Sequence, residues 1–153
     1  MSETNDKTVL FLCTGNYYRS RFAEGLFNHL TGIKGLAWRA RSRGLHIDKS
    51  QTLNIGPISP ITLEAFKHHS IPIPEPIPNP GQVTLDDLAS ADLVVALKEE
   101  EHRALVRLNF PDWENRVAYW HVHDLDKAPP QKALADIDRL VRALIDRLAA
   151  GGG

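Results

Sequence analysis

The sequence predicts an α/β fold, a parallel sheet covered by helices, on two observations. Short apolar runs alternate along the chain with segments of helical periodicity, the order expected when each strand is followed by a helix that returns over the sheet. The composition supplies the core such a fold needs: 153 residues, 42% hydrophobic and 24% charged, fit one ordinary globular domain spanning 1–153, with 1–7 and 150–153 as flexible ends. No internal repeat interrupts the pattern.

The first strand is Thr8 to Cys13, apolar nearly throughout, as a strand buried on both faces must be. It runs into Thr14-Gly15-Asn16, and a helix follows from about Arg19. In that helix Phe22, Ala23, Leu26, Phe27 and Leu30 recur at three- and four-residue steps opposite Arg21, Glu24 and Asn28, and Gly32 is placed to close it. A second strand, Ala37 to Arg41, mixes polar and apolar residues as an edge strand does. Ser59-Pro60 starts a helix reaching about Ser70. Alternate prolines from Ile71 to Pro80 exclude helix and interior strand, and with no PxxP spacing and no basic flanks they read as a stiff surface connection rather than a ligand for a proline-recognising domain. Asp92 to Leu97 is the next buried strand, Glu99 to Leu108 the next helix, and Val117 to Val122 the last strand. After Pro129-Pro130 a closing helix carries an apolar stripe (Leu134, Ile137, Leu140, Val141, Leu144, Ile145, Leu148), and Gly151 to Gly153 form its frayed tail.

Charge narrows the function. Lys and Arg number 18 against 19 Asp and Glu, so no global basic field draws the chain to nucleic acid or an anionic membrane, and neither is expected as a partner. The apolar stretch Val9 to Cys13 is too short to span a bilayer and the residues before it lack a basic start, which places the protein in the cytoplasm. A single cysteine, Cys13, permits neither an internal disulfide nor a cysteine-based zinc site, leaving it as inert packing or a reactive thiol.

The neighbours of Cys13 favour reactivity. Cys13-Thr14-Gly15-Asn16-Tyr17-Tyr18-Arg19-Ser20 lies at the carboxyl end of the first strand, where ligands bind in open parallel sheets. A loop between a strand and a helix N-terminus turns backbone N–H groups toward a tetrahedral oxyanion such as phosphate, and an arginine five residues past the cysteine adds a planar fork for two of its oxygens. The same N–H groups and the helix dipole favour the thiolate of Cys13. Gly15 and Asn16 suit a loop needing positive φ, and Ser20 can donate a hydrogen bond to the sulfur as it leaves phosphorus.

This stretch resembles the signature of the low-molecular-weight protein tyrosine phosphatases, Cys-x5-Arg-Ser after the first strand. The likeness runs on: Arg41-Ser42-Arg43-Gly44 matches a Ser-Ala-Gly turn after the second strand, Gln82-Val83-Thr84 with Asp86-Asp87 matches the segment before the third, and an aspartate follows the last strand. The resemblance implies a three-layer, four-stranded parallel sheet with helices on both faces. It implies a phosphomonoester hydrolase, a protein-tyrosine-phosphatase, working through a cysteinyl-phosphate without cofactor or metal. Its substrate would be a phosphorylated protein or small aryl phosphate, with inorganic phosphate as product. Cys13, Arg19 and Asp124 become the catalytic residues; Thr14, Gly15, Asn16, Tyr17, Tyr18 and Ser20 bind substrate; Ser42 stiffens the loop through Asn16.

A leaving oxygen of pKa near ~10 departs poorly as an anion, so an acid must reach over the loop, and His121-Val-His123-Asp124-Leu-Asp126 supplies the candidates. Asp124 matches the family's aspartate; Leu125 replaces the proline that follows it there, which leaves Asp126 as an alternative acid. His121 and His123 share a strand face and are a rival metal pair, although without a third histidine they read better as solvent-exposed turn flanks. Against the family pattern, the aromatic residues that follow the Asp-Pro pair are missing, Tyr18 replaces a second loop cysteine, Arg21 stands where proline is frequent, and a supporting histidine is absent near Pro78. Tyr17 fills the place where a threonine marks the phosphoarginine-directed branch, which disfavours that branch and makes Tyr17 either a wall for the leaving group or a packing residue. Two other classes are carried alongside: an arsenate reductase-like oxidoreductase on the same fold, disfavoured by the single cysteine, and a non-catalytic phosphate-binding module.

Overall fold

A computed structural model of the chain describes residues 6–47, 56–124 and 129–152. Four strands, β1 (Lys7–Cys13), β2 (Trp38–Gly44), β3 (Leu93–Ala96) and β4 (Ala118–Tyr119), form one parallel sheet in the order β2-β1-β3-β4. The helices are α1 (Arg19–Lys34), α2 (Pro60–His68), α3 (Leu85–Ser90), α4 (Glu99–Asn109) and α5 (Pro130–Arg147).

Alternation along β1 divides the core. Val9, Phe11 and Cys13 join a cluster with Phe22, Leu26 and Phe27 of α1 and with Ile137, Val141 and Ile145 of α5. Leu10 and Leu12 point to the opposite face, where they meet Leu88 of α3, Val106 of α4, Val83 and Trp113. Successive side chains of a strand leave on opposite faces, so an all-apolar β1 can be buried only between two helical layers. Each large side chain buried this way contributes roughly 1.5–3 kcal/mol. The three-layer expectation is met.

Element bounds differ from the sequence reading in instructive places. α1 does not stop at Gly32; it runs to Lys34 and is closed by Gly35, whose φ of 67° is the left-handed conformation that ends helices. β2 extends beyond Arg41, so Arg41-Ser42-Arg43-Gly44 is the end of a strand, pairing Gly44 with Cys13, rather than a turn after it. β4 is two residues long; beyond it the Trp120 and Val122 N–H groups donate to the Ala96 and Leu97 carbonyls, the Trp120 carbonyl accepts from the Glu99 N–H, and His121 forms an isolated bridge with Lys98. Helix α3 was not anticipated. Its start is a capping box, with the Thr84 hydroxyl accepting from the Asp87 N–H and the Asp87 carboxylate accepting from the Thr84 N–H. The proline run forms neither helix nor strand, and packs Ile71, Ile73 and Ile77 against the α1 side of the core. No helix among the described residues is long and apolar enough to cross a membrane.

Candidate active site

The loop at the end of β1 and the first residues of α1 form a buried network organised by Asn16, which is 2% exposed with φ of 52°. Asparagine tolerates this left-handed conformation better than most residues. Gly15, expected to share the role, has no positive φ. The Gly81 N–H donates to Asn16 Oδ1 at 2.9 Å, which fixes the amide's orientation, so Nδ2 is the nitrogen that donates to both Ser20 Oγ and Ser42 Oγ at 3.0 Å. Each hydroxyl has one hydrogen to give. That of Ser42 goes to Glu24 Oε1 at 2.6 Å. Ser20 Oγ and Cys13 Sγ lie 3.0 Å apart, a hydrogen bond that Ser20 donates whenever the sulfur is a thiolate. The resemblance implied a bond between Asn16 and Ser42, which the structure contains; the bond from Asn16 to Ser20 is an addition to it. Burial pushes the Glu24 carboxyl up, against the opposing pull of the Ser42 hydrogen bond and nearby arginines.

Cys13 is 3% exposed at the foot of this loop. The N–H groups of Thr14, Gly15 and Asn16 donate to no backbone carbonyl of the described residues. From the loop's far end Arg19, its side chain 3% exposed, sends Nη1 to the Val122 carbonyl at 3.0 Å, and Nη1 and Nη2 to the two oxygens of Glu101 at 3.3 and 2.9 Å. Asp124 Oδ2 lies 3.5 Å from Arg19 Nη2, its side chain about half exposed, so the expected acid does stand beside the expected phosphate ligand. Asp126, the alternative acid, lies outside the described residues.

The two loop tyrosines part company. Tyr17 is half-buried against the α1 side of the core, and its carbonyl accepts from the Ser59 N–H. Tyr18 is 6% exposed within that core; its hydroxyl is buried without a hydrogen-bond partner among the described residues, and burial together with Asp124 pushes the phenol up to about 12 while Arg19 opposes. The side chain of Tyr18 thus packs in the core with its phenol close enough to Asp124 and Arg19 to feel both charges. Thr14 does turn a side chain to the site, donating its hydroxyl to Glu101. His121 is exposed near Glu99, and among the described residues no group of three or more His, Cys, Asp or Glu side chains could hold a metal ion.

Sequence reasoning missed three contributors. Glu101 sits in the first turn of α4 and faces both Arg19 and Thr14. Burial raises the Glu101 carboxyl, yet nearby His102 and Arg19 outweigh that and hold it well below the usual carboxylate range. His102 is fully buried, and its Nδ1 accepts from the Lys98 N–H at 3.0 Å, so the ring hydrogen sits on Nε2. That nitrogen is 3.2 Å from Glu101 Oε2 but poorly aligned for a hydrogen bond, and burial lowers the imidazole's affinity for a second proton. Arg21, 6% exposed, donates to the carbonyls of Asn16, Pro57 and Pro78, bracing the loop from behind. The one signal in the sequence for Arg21 was its departure from the frequent proline; Glu101 was one of three consecutive glutamates, with nothing to single it out.

Comparison with known proteins agrees with this geometry. The model of the low molecular weight phosphotyrosine protein phosphatase family matches residues 8–150. The chain belongs to that family. It is therefore a phosphatase by descent, and its lone cysteine fits a cysteinyl-phosphate mechanism. It is 31% identical over 110 residues to the human low molecular weight phosphotyrosine protein phosphatase, covering 70% of this chain and 65% of that one. It is 29% identical over 109 residues to the protein-arginine-phosphatase of Bacillus subtilis, 71% of this chain and 67% of that one. The aligned stretch thus spans about two thirds of those relatives' lengths. A crystal structure of a low molecular weight protein tyrosine phosphatase from T. tengcongensis superposes with a TM-score of 0.77 at 28% identity, covering 93% of this chain and 99% of that one.

Proposed function

We propose that this chain hydrolyses phosphotyrosine in proteins, or a small aryl phosphate, with Cys13 as nucleophile and Asp124 as general acid and base. The observation that carries this reading is the 3.0 Å contact of Ser20 Oγ with Cys13 Sγ, at the closed end of a loop whose other end presents a buried arginine. A hydroxyl whose oxygen already accepts from Asn16 has its hydrogen free for sulfur, so it stabilises the thiolate both before attack and when phosphorus departs.

In the first step the Cys13 thiolate attacks phosphorus, the bond from phosphorus to the ester oxygen breaks, and protonated Asp124 gives its proton to that oxygen. In the second, Asp124 takes a proton from water as the water oxygen attacks phosphorus, the sulfur–phosphorus bond breaks, and inorganic phosphate leaves with the thiolate restored. Loop N–H groups and Arg19 hold the three equatorial oxygens throughout, and their value is greatest where charge builds up in the transition state. Thr14, Gly15 and Asn16 line the cradle, Tyr17 borders it, and Ser42 keeps Asn16 in place. The chemistry calls for a reduced thiol, which suits a cytoplasmic setting.

The test is phosphate release from a chromogenic aryl phosphate, with phosphoarginine as a second substrate. Wild type should turn over the aryl ester without added metal, and Cys13→Ser should abolish turnover while still binding vanadate, because the cradle is backbone and Arg19. Turnover surviving in Cys13→Ser overturns the mechanism; vanadate binding with no wild-type turnover makes the chain a phosphate-binding module; preference for phosphoarginine overturns the substrate class.

A further inference from the structure

We propose that Glu101 is a positioning residue for Arg19: by taking the end of the guanidinium it turns the side edge, Nε with Nη2, toward the phosphate. The proposal rests on the reading that Arg19 holds phosphate. A guanidinium has five N–H hydrogens in one plane. The two on Nη1 go to Glu101 Oε1 and to the Val122 carbonyl, and one of the two on Nη2 goes to Glu101 Oε2. Two hydrogens remain, the one on Nε and the Nη2 hydrogen parallel to it. These form a fork matched to two oxygens of one phosphate. Asp124 Oδ2, 3.5 Å from Nη2, lies close to the same nitrogen, so fork and acid share a neighbourhood.

Glu101 is itself held by two donors, with a third group beside it. Thr14, the residue after the nucleophile, donates its hydroxyl to Oε2; Arg19 donates to both oxygens; and the Nε2 hydrogen side of buried His102 lies 3.2 Å from Oε2. The Lys98 N–H bond to His102 Nδ1 fixes that ring's tautomer. A carboxylate in the first turn of a helix is further favoured by the helix dipole. The same contacts also fit a competing role, in which Glu101 is an internal anion that phosphate must displace from Arg19. The two roles differ in sign. A positioning carboxylate, once removed, leaves Arg19 loosely aimed and weakens anion binding; a competing one, once removed, strengthens it.

The experiment titrates inorganic vanadate into wild type, Glu101→Gln, Arg19→Ala and the double variant, and measures kcat and KM on an aryl phosphate series for each. Positioning predicts that Glu101→Gln weakens vanadate binding and lowers kcat about tenfold to a hundredfold, the scale of charge-assisted hydrogen bonds, with the leaving-group slope unchanged because Asp124 is intact. Glu101→Asp should recover part of the loss. In the Arg19→Ala background the same substitution should have little further effect, since its target is gone. Tighter vanadate binding by Glu101→Gln overturns the proposal, as does an equal loss with and without Arg19. Should Arg19→Ala not fold, the sign of the vanadate change in Glu101→Gln alone decides. Absence of turnover in wild type would sink the hydrolase reading, and the vanadate titration would still judge Glu101.

Discussion

The hydrogen bonds of the loop between β1 and α1 start from the Asn16 amide. Asn16 donates outward along two branches, one ending on Cys13 through Ser20 and the other on Glu24 through Ser42. Two carboxyls at the edges of this network are shifted oppositely, and the signs can be worked out. Glu24 is raised by burial, so ionising it disfavours the fold: its contribution falls as pH rises from the unfolded carboxyl value, about 4.3, through the higher folded value. Glu101 is lowered, so it adds stability above about 4.3 that is lost as pH falls toward its folded value. Denaturant midpoints taken across about pH 3–8, a range that reaches below the unfolded carboxyl value of about 4.3, should show Glu24→Gln gaining on wild type as pH rises. Glu101→Gln should lose ground over the same rise. Parallel curves for all three proteins would contradict both assignments. Asp124 makes a separate prediction: Asp124→Asn should lower kcat on poor leaving groups roughly a hundredfold or more, the scale of general acid catalysis, and spare activated esters. A uniform small loss across the series would remove Asp124 from the acid's role.

At the scale of elements, the join between β2 and the loop after β1 leaves no room for a side chain on Gly44. A Cβ on Gly44 would stand 2.8 Å from the Thr14 carbonyl and 2.8 Å from Ile47, with Asn16 Cβ at 3.2 Å. The Thr14 contact is backbone and cannot rotate away. Gly44→Ala should therefore cost about 1–3 kcal/mol by overpacking, and lower kcat as well by shifting the loop; a stable, fully active variant would show that the loop yields freely. The sequence made the strand-to-helix loop legible because its chemistry is contiguous, from Cys13 to Ser20. It also showed β1, an unbroken apolar run, and α5, whose helical periodicity is long. Gly44 reads as part of a turn because the inward positions of β2 past Ala40 are Ser42 and Gly44, which give no apolar signal for a strand. Helix α3 was hidden by its six residues, though Thr84 and Asp87 were a readable capping box. Glu101 was illegible in principle: it meets Arg19 across 82 positions, and only the packing of α4 beside the loop makes them neighbours.

For the whole molecule, the decisive feature is that one thiol serves the chain. Thiol-linked arsenate reduction on this fold needs further cysteines to resolve the thiol–arsenate adduct into a disulfide, so direct thioredoxin-coupled turnover should be absent. The same scarcity governs oxidative damage. Peroxide converts a reactive thiolate to sulfenic acid, and in this chain no second cysteine can condense with it; Tyr18 occupies the neighbouring position in the loop, with its side chain buried in the core. Sulfenic acid at Cys13 then has three exits: capture by an external thiol, capture by a backbone nitrogen as a sulfenamide, or further oxidation to sulfinic acid, which ordinary thiols do not reverse. Graded peroxide followed by intact-mass measurement should show a gain of two oxygens and a parallel, permanent loss of activity when no small thiol is present. With glutathione added before peroxide, the product should instead be a mixed disulfide, and reductant should restore activity. Full recovery without any added thiol during oxidation would mean that a backbone nitrogen traps the sulfenic acid as a sulfenamide, and the chain would then carry its own protection despite its single cysteine.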